Sequence, residues 1–145
     1  MKVSDCMTHD VEITHPDMTL REAAKLMADC DAGVLPVGEN DRLVGMLTDR
    51  DIAIRAVANG KGPDSRVRDV MSSDVCWCFE DEDIDDALER LAEEQIRRMP
   101  VLSRQKRLVG IISIGDLTDS AQPQQTGRTL LAISRHGGQH SQTLQ

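Results

Sequence analysis

Two short stretches of the sequence place a hydroxyl side chain three residues before an aspartate, each time after an apolar run. Thr48 and Asp51 follow GML, and Ser113 and Asp116 follow GII. A carboxylate can accept hydrogen bonds from both hydroxyls of a ribose, and free N–H groups where a strand runs into a helix suit a phosphate. The same spacing matches a capping box, in which hydroxyl and carboxylate satisfy the first N–H groups of a helix. The two motifs therefore predict either a nucleotide site or a helix cap, in duplicate.

The duplication extends well beyond these motifs. Three blocks of the first half match blocks of the second at an offset of 64 residues that becomes 65 in the last block: 3–7 with 67–71, 20–37 with 84–101, and 42–52 with 107–117. A repeat of this length indicates one supersecondary unit used twice. Each copy alone is too short to bury much apolar area, so we expect the copies to share an interface.

Hydrophobic periodicity changes in the same order within each copy. A short alternating run, Val11–Ile13 or Val75–Trp77, predicts a strand, and Thr19 or Asp83 then precedes an amphipathic helix. Two apolar runs joined by a polar turn predict a hairpin, and a second helix follows, which is shorter in the second copy. Each copy is therefore predicted to run strand, helix, strand, strand, helix.

Composition excludes several classes of function. The net charge is −8 and only 1% of the 145 residues are aromatic, which disfavours nucleic-acid binding through a basic field or through base stacking. We find no apolar run long enough to span a membrane and no export signal at the start, so we expect a cytoplasmic protein. In a reducing compartment the four cysteines are expected to be small apolar residues or free thiols.

Taken together, the repeated blocks resemble the cystathionine-beta-synthase (CBS) domain family, in the tandem arrangement called a Bateman module. LTDRDI and the length look most similar to bacterial proteins that consist only of a CBS pair, including the hypoxic response protein group. The resemblance implies an α/β fold of two CBS repeats, each β-α-β-β-α, packed with pseudo-two-fold symmetry. We assign repeat 1 to 1–60, a linker to 61–66, repeat 2 to 67–120 and a polar tail to 121–145, which either docks as a short helix or stays disordered.

The resemblance also implies clefts between the repeats that bind an adenine nucleotide such as AMP, ADP or ATP. Asp51 and Asp116 would then hold ribose hydroxyls, with Thr48 and Ser113 beside the phosphates. The apolar-Pro stretches would line the adenine pocket, and the residues that lead into each first strand would also contact ligand: Val34, Pro36, Arg98 and Pro100, with Thr8, Asp10, Val11, Ser72, Asp74 and Val75.

The copies differ in the cations available to a phosphate. Arg98 occupies the position before the apolar-Pro stretch where nucleotide-binding relatives often carry a basic residue, and its counterpart in the first copy is Val34. Arg97 lies next to it, and Arg50 lies inside the first motif. We therefore expect phosphate affinity to differ between the two sites.

We predict no catalysis and no resident cofactor or metal. Asp49 and Asp51 are spaced like the aspartates of haloacid-dehalogenase-like phosphatases, but the other acids of such a site are missing. We expect a homodimer formed through the apolar faces that begin at Ile52 and Leu88, with the signal passed to a protein partner not yet identified. Two alternatives stay open: a ligand-free dimeric adaptor or stress-response protein, and a thiol or metal sensor using Cys76, Cys78, His136 or His140.

Overall fold

A computed structural model of the protein describes residues 1–118 and 123–135. The chain forms two compact units. The continuous unit is Glu12–Val75, and the discontinuous unit combines Met1–Val11 with the chain from Cys76 onward. Each unit thus contains the main part of one repeat and the leading segment of the other. We call residues 2–11 and 66–75 the leading segments.

The continuous unit holds one hairpin and one long helix. Thr19 caps helix α2 (Leu20–Cys30) by accepting the N–H of Glu22, and Asp31 ends the helix in the left-handed conformation. Asn40 and Asp41, both with positive φ, make the tight turn of the hairpin. The described helices and strands, counting the first helix of the chain as α1, are α2 (Leu20–Cys30), β1 (Val34–Glu39), β2 (Arg42–Thr48), α3 (Asp49–Asp51), a π-helical turn (Ile52–Ala56), and 3₁₀ turns at Val57–Asn59 and Val67–Asp69.

The discontinuous unit repeats this plan with additions. Asp83 caps α4 by accepting the N–H of Asp85, and Gln95 ends it in the left-handed conformation. Strand β3 pairs in parallel with β4, which pairs antiparallel with β5. Its elements are α1 (Val3–Cys6), β3 (Cys78–Phe79), α4 (Ile84–Glu94), β4 (Arg98–Leu102), β5 (Leu108–Ser113), α5 (Ile114–Leu117) and α6 (Pro123–Ser134).

The leading segments pack into the two units in the same way. Lys2 bridges Asp83 at the start of α4, and Arg66 bridges Thr19 at the start of α2. Val3 and Val67 are each 0% exposed. Since each segment belongs to one repeat and lies in the core of the unit built mainly from the other, neither repeat of the sequence is by itself a complete packing unit.

The predicted first strands were wrong in position. Residues 11–13 and 75–77 are not strands, and the parallel pairing begins further along, at Thr14 opposite Val37 and at Cys78 opposite Val101. The Thr14 hydroxyl donates to the carbonyl of Pro36 at 2.8 Å, which satisfies this buried side chain. The alternation of Val11 and Ile13 therefore did not mark the residues that pair.

Part of the predicted tail forms helix α6, which packs against α4 and buries one of its faces. Ile133 of α6 is buried in the same cluster as Leu88, which is 0% exposed. The Thr129 hydroxyl oxygen lies 3.5 Å from the carbonyl oxygen of Leu88, and its proton is donated to the carbonyl of Gln125 at 2.9 Å. The prediction that the face at Leu88 contributes to a dimer is therefore wrong, because α6 packs against α4 within the unit. His136 and His140 lie outside the described residues.

Candidate functional site

Each hydroxyl–aspartate motif forms a reciprocal cap at the end of a hairpin strand. The backbone N–H of Thr48 donates to Asp51 Oδ2 at 2.9 Å, and the N–H of Asp51 donates to Thr48 Oγ1 at 3.0 Å. In the second motif the N–H of Ser113 donates to Asp116 Oδ2 at 2.9 Å, and the N–H of Asp116 donates to Ser113 Oγ at 3.1 Å. The capping interpretation of both motifs is confirmed.

The caps leave one oxygen of each carboxylate for another partner. Asp51 Oδ1 lies 3.8 Å from Nε of Arg55, one helical turn further on. The other oxygen of Asp116 accepts no hydrogen bond from the residues that the structure describes. Both aspartates are half-buried. A cap and a ligand contact are therefore compatible, because they use different oxygens.

The leading segment of the opposite repeat reaches the hairpin strand just before each motif. Met46 and Ser72 exchange two backbone hydrogen bonds of 2.9 Å, and Thr8 and Ile111 exchange bonds of 2.8 and 3.0 Å. These bridges make each candidate site composite, with the motif supplied by one repeat and the leading segment by the other. The predicted residues fall into two sets by unit: Val34, Pro36, Thr48, Arg50, Asp51, Ser72, Asp74 and Val75 in the continuous unit, and Thr8, Asp10, Val11, Arg97, Arg98, Pro100, Ser113 and Asp116 in the discontinuous unit.

Glycines allow the close approach of these backbones. A Cβ on Gly45 would lie 2.8 Å from the carbonyl oxygen of Ser72, and one on Gly110 would lie 2.7 Å from that of Thr8. A glycine inside a strand often marks such an approach, and that signal was available from the sequence.

The apolar-Pro stretches form the strand that faces each motif. Val34 pairs with Thr48, and Arg98 pairs with Ser113. Residues directly opposite in an antiparallel pair project on the same side of the hairpin, so each of these side chains lies beside its cap hydroxyl. Pro36 and Pro100 are buried and Val34 is half-buried, whereas Arg98 is exposed.

Two further side chains lie at the first site: Arg55, which was not predicted, and Asp49, which was considered only as a phosphatase-like acid. Arg55 lies within 3.4 Å of the carbonyl oxygens of Val70 and Met71, so it joins the first motif to the second leading segment. The spacing of four residues from Asp51 was its signal. Asp49 lies against Gly33, where an added Cβ would be 2.9 Å from its Oδ2.

All four cysteines lie outside the two motifs in the sequence, and none of them forms a disulfide. Burial raises the pKa of the Cys78 thiol to about 12. A thiol in this state is neutral near pH 7, and the thiolate is the form that binds metals and attacks disulfides. Among residues 1–118 and 123–135, no group of three or more His, Cys, Asp or Glu is arranged to hold a metal ion.

Comparison with known proteins identifies the fold and the family. The family model for the CBS domain matches residues 3–57 and again 67–122. The chain belongs to the CBS domain family. It carries the domain twice, as a tandem CBS protein of regulatory type, and the predicted mixed α/β fold of two repeats is confirmed.

Individual relatives extend over nearly the whole chain. The CBS domain-containing protein YhcV of Bacillus subtilis is 38% identical over 138 residues, which are 95% of this chain and 98% of that protein. The solved structure of Hypoxic Response Protein I, described with two coordinated zinc ions, is 35% identical with a TM-score of 0.76 and covers 83% of this chain and 99% of its own. The predicted similarity to the hypoxic response group is confirmed.

A third relative was solved with ligands. The CBS domain pair of protein MJ0100, in complex with 5′-methylthioadenosine and S-adenosyl-L-methionine, is 28% identical with a TM-score of 0.73. It covers 82% of this chain and 94% of its own. Both of its ligands contain adenosine.

No helix among the described parts of our chain is long and apolar enough to cross a bilayer.

Proposed function

We propose that the protein is a non-catalytic regulatory module that binds an adenine nucleotide, or a related adenosine compound, at one or both of its composite sites. Asp51 and Asp116 hold the ribose through the carboxylate oxygen that the cap does not use, and Thr48 and Ser113 lie beside the phosphate end. Pro36 and Pro100 lie under the adenine. The assignment of the other predicted ligand residues stays a prediction.

The observation that carries this proposal is the composite construction of both sites. A capping box needs only four consecutive residues, yet in each unit it lies beside a backbone bridge to the leading segment of the other repeat. A ligand that contacts motif and leading segment together therefore contacts both repeats. By favouring one packing of them, it can shift a conformational equilibrium by at most its difference in affinity between the states.

Adenosine compounds bound to the MJ0100 pair support this choice of ligand class. The shortage of aromatic side chains does not oppose it, because the predicted adenine pocket is aliphatic. The signal passes to another protein or to a second copy of the chain. Exposed apolar side chains are available for such a contact in both units, at Ile54, Val57, Leu130 and Leu131.

The rival function is a ligand-free adaptor, and the completed caps favour it. Since Asp51 and Asp116 already have a structural task, the presence of these acids does not require a ligand. The thiol or metal sensor is the weaker rival, because the Cys78 thiol is buried and its pKa is raised. The cytoplasmic location stays a prediction.

Asparagine substitution separates ligand binding from capping. Asp51→Asn and Asp116→Asn each keep one carbonyl oxygen to accept the capping N–H but replace the second acceptor with an N–H₂ donor. We measure thermal unfolding of the wild type and the double variant against AMP, ADP, ATP, NAD and S-adenosylmethionine. A ligand at about 100 times its Kd stabilises the wild type by about 2.7 kcal/mol, which raises Tm by several degrees.

Matched controls come from two other caps of the same chain. Asp5 Oδ2 accepts the N–H of Lys2 at 2.9 Å, and Asp69 Oδ2 accepts the N–H of Arg66 at 3.3 Å. The double variant Asp5→Asn/Asp69→Asn should keep the ligand-dependent rise in Tm that Asp51→Asn/Asp116→Asn loses. A wild type whose Tm responds to no member of the panel would favour the adaptor instead.

A further inference from the structure

The two composite sites differ in charge at structurally equivalent positions. Arg97 of the discontinuous unit accepts the N–H of Ile114 through its carbonyl at 2.9 Å, and Gly33 of the continuous unit accepts the N–H of Asp49 in the same way at 2.9 Å. The discontinuous unit therefore has Arg97 hydrogen-bonded to Ile114 where the continuous unit has Gly33 hydrogen-bonded to Asp49. The first pair carries a positive charge and the second a negative charge.

The next position of each strand enlarges this difference. Arg98 lies opposite Ser113, whereas Val34 lies opposite Thr48. Arg97 and Arg98 are both exposed, and no ion pair with an acid is found for either in the described part of the chain. Both guanidinium groups are thus able to bind an anion.

Cations of the continuous unit are differently placed. Arg55 approaches Asp51 and the carbonyls of Val70 and Met71, which occupies its guanidinium group. Arg50 is exposed, and its backbone N–H donates to Asp49 Oδ1 at 2.8 Å. The Asp49 carboxylate therefore lies between the start of β1 and Arg50, where it would repel a phosphate.

We infer that the discontinuous unit binds the phosphate-bearing nucleotide, through Arg97 and Arg98, and that the continuous unit accepts only an adenosine compound without a phosphate. This inference rests on the proposed function. Guanidinium groups form paired, charge-assisted hydrogen bonds with phosphate, whereas a carboxylate at the same place disfavours the anion by repulsion and desolvation. The Asp116 site thus responds to nucleotides and the Asp51 site to nucleosides.

Isothermal titration of the full chain with 5′-AMP and with adenosine tests the assignment. We expect one AMP per wild-type chain, with an affinity that falls as salt is raised, and adenosine binding that is insensitive to salt. Arg97→Gly/Arg98→Val copies the residues of the continuous unit into the discontinuous unit. It should weaken AMP binding about tenfold or more and leave adenosine binding unchanged.

A variant of the continuous unit, Val34→Arg/Asp49→Ile, adds the counterpart of Arg98 and removes the carboxylate, and it should create a second AMP site. Asp116→Asn should abolish AMP binding to the otherwise unmodified chain, and Asp51→Asn should leave it intact. Two equivalent AMP sites in the wild type, or an AMP affinity unaffected by Arg97→Gly/Arg98→Val, would overturn the inference while leaving the proposed function standing. Binding of neither AMP nor adenosine to the wild type would overturn both.

Discussion

The two units are built on one plan but fill equivalent positions with different chemistry. Ala24 of α2 is exposed, whereas Leu88, its counterpart in α4, is completely buried under α6. Met18 and Leu26 pack against the core of the continuous unit, and their counterparts Glu82 and Arg90 form an ion pair with N···O 2.7 Å. Duplication therefore conserved the backbone plan, while each core was completed by residues specific to its own unit.

The difference at the ligand motifs has the same character. Both caps have bond lengths within 0.1 Å of each other, but the residues around them differ in charge at Gly33 and Arg97 and at Val34 and Arg98. What the units share is the local backbone geometry, which a capping box and a bridge determine. What separates them is the set of side chains that a ligand would meet.

Truncating the buried residue of α4 should destabilise the protein more than any other change considered below. Leu88→Ala should lower the free energy of unfolding by about 2–5 kcal/mol, because it leaves a cavity under α6. The matched change Ala24→Leu, at the exposed counterpart, should alter it by less than about 0.5 kcal/mol. Urea unfolding followed by circular dichroism measures both.

A third variant, Ile133→Ala, tests the same contact from α6. It should also be destabilising by about 2–5 kcal/mol, and combining it with Leu88→Ala should cost less than the sum, because the two side chains share one core cluster. Strict additivity would contradict direct packing of α6 against α4.

Adding a methyl group at Gly45 or Gly110 tests whether the two backbone bridges, Met46–Ser72 and Thr8–Ile111, are equally important for stability. Gly45→Ala and Gly110→Ala would each place a Cβ within 2.8 Å of a backbone carbonyl oxygen and within 2.9 Å of a methionine sulfur. We expect each to cost about 1–3 kcal/mol, by similar amounts, because the leading segment must move away. Hydrogen exchange at the N–H of Met46 and Ile111 should rise in the respective variants.

Gly127 provides the matched control. It lies inside α6, where no atom of the described residues apart from the nearby helix backbone is within 4 Å of an added Cβ, so Gly127→Ala should stabilise the protein by about 0.5–1 kcal/mol. If Gly45→Ala and Gly110→Ala were equally harmless, the close approach of the two backbones would not limit the fold.

Local features of the fold were predictable from the sequence. Helices α2 and α4 begin after Thr19 and Asp83 as predicted, because a cap and an apolar periodicity involve neighbouring residues only. The tight turn through Asn40 and Asp41 was equally readable. The resemblance to a known family then supplied the long-range plan that periodicity cannot give.

Features that depend on distant residues were not predictable in the same way. The pairing of each leading segment with the other repeat joins residues far apart in the chain, such as Thr8 with Ile111 and Thr19 with Arg66, and no local propensity encodes these contacts. Burial of Leu88 depends on α6, whose sequence has a single apolar patch. The apolar periodicity also does not distinguish the π-helical turn at Ile52–Ala56 from an ordinary α-helix. For the candidate sites, the sequence identified the motif residues but neither Arg55 nor the approach of Asp49 to Gly33.

The ion pair between Glu82 and Arg90 should contribute less to stability, and its contribution should depend on pH. Partial burial raises the pKa of Glu82, but hydrogen bonds from Arg90 and from the N–H of Phe79 together lower it by more than burial raises it. The pKa therefore lies below its ordinary value of 4.5. A lowered pKa means that the folded state favours the ionised acid. The pair's contribution to stability is therefore complete above about pH 4.5 and is lost as the pH falls through the folded-state pKa.

Copying the continuous unit into this position removes that dependence. Glu82→Met/Arg90→Leu should change stability at pH 7 by no more than about 1 kcal/mol, since the gain from replacing a partly buried ion pair with apolar side chains offsets the loss of the hydrogen bonds to the Phe79 N–H and the Trp77 carbonyl. Arg90→Leu alone should cost about 1–3 kcal/mol, because Glu82 then keeps a half-buried charge without its partner. The exposed ion pairs Asp17–Arg68 and Asp81–Arg104 are present in the wild type and in both variants, so their contribution to the pH dependence of stability cancels when the proteins are compared. On acidification from pH 7 to 3, the double variant should gain stability relative to the wild type, and a constant difference across this range would show that Glu82 and Arg90 are not coupled.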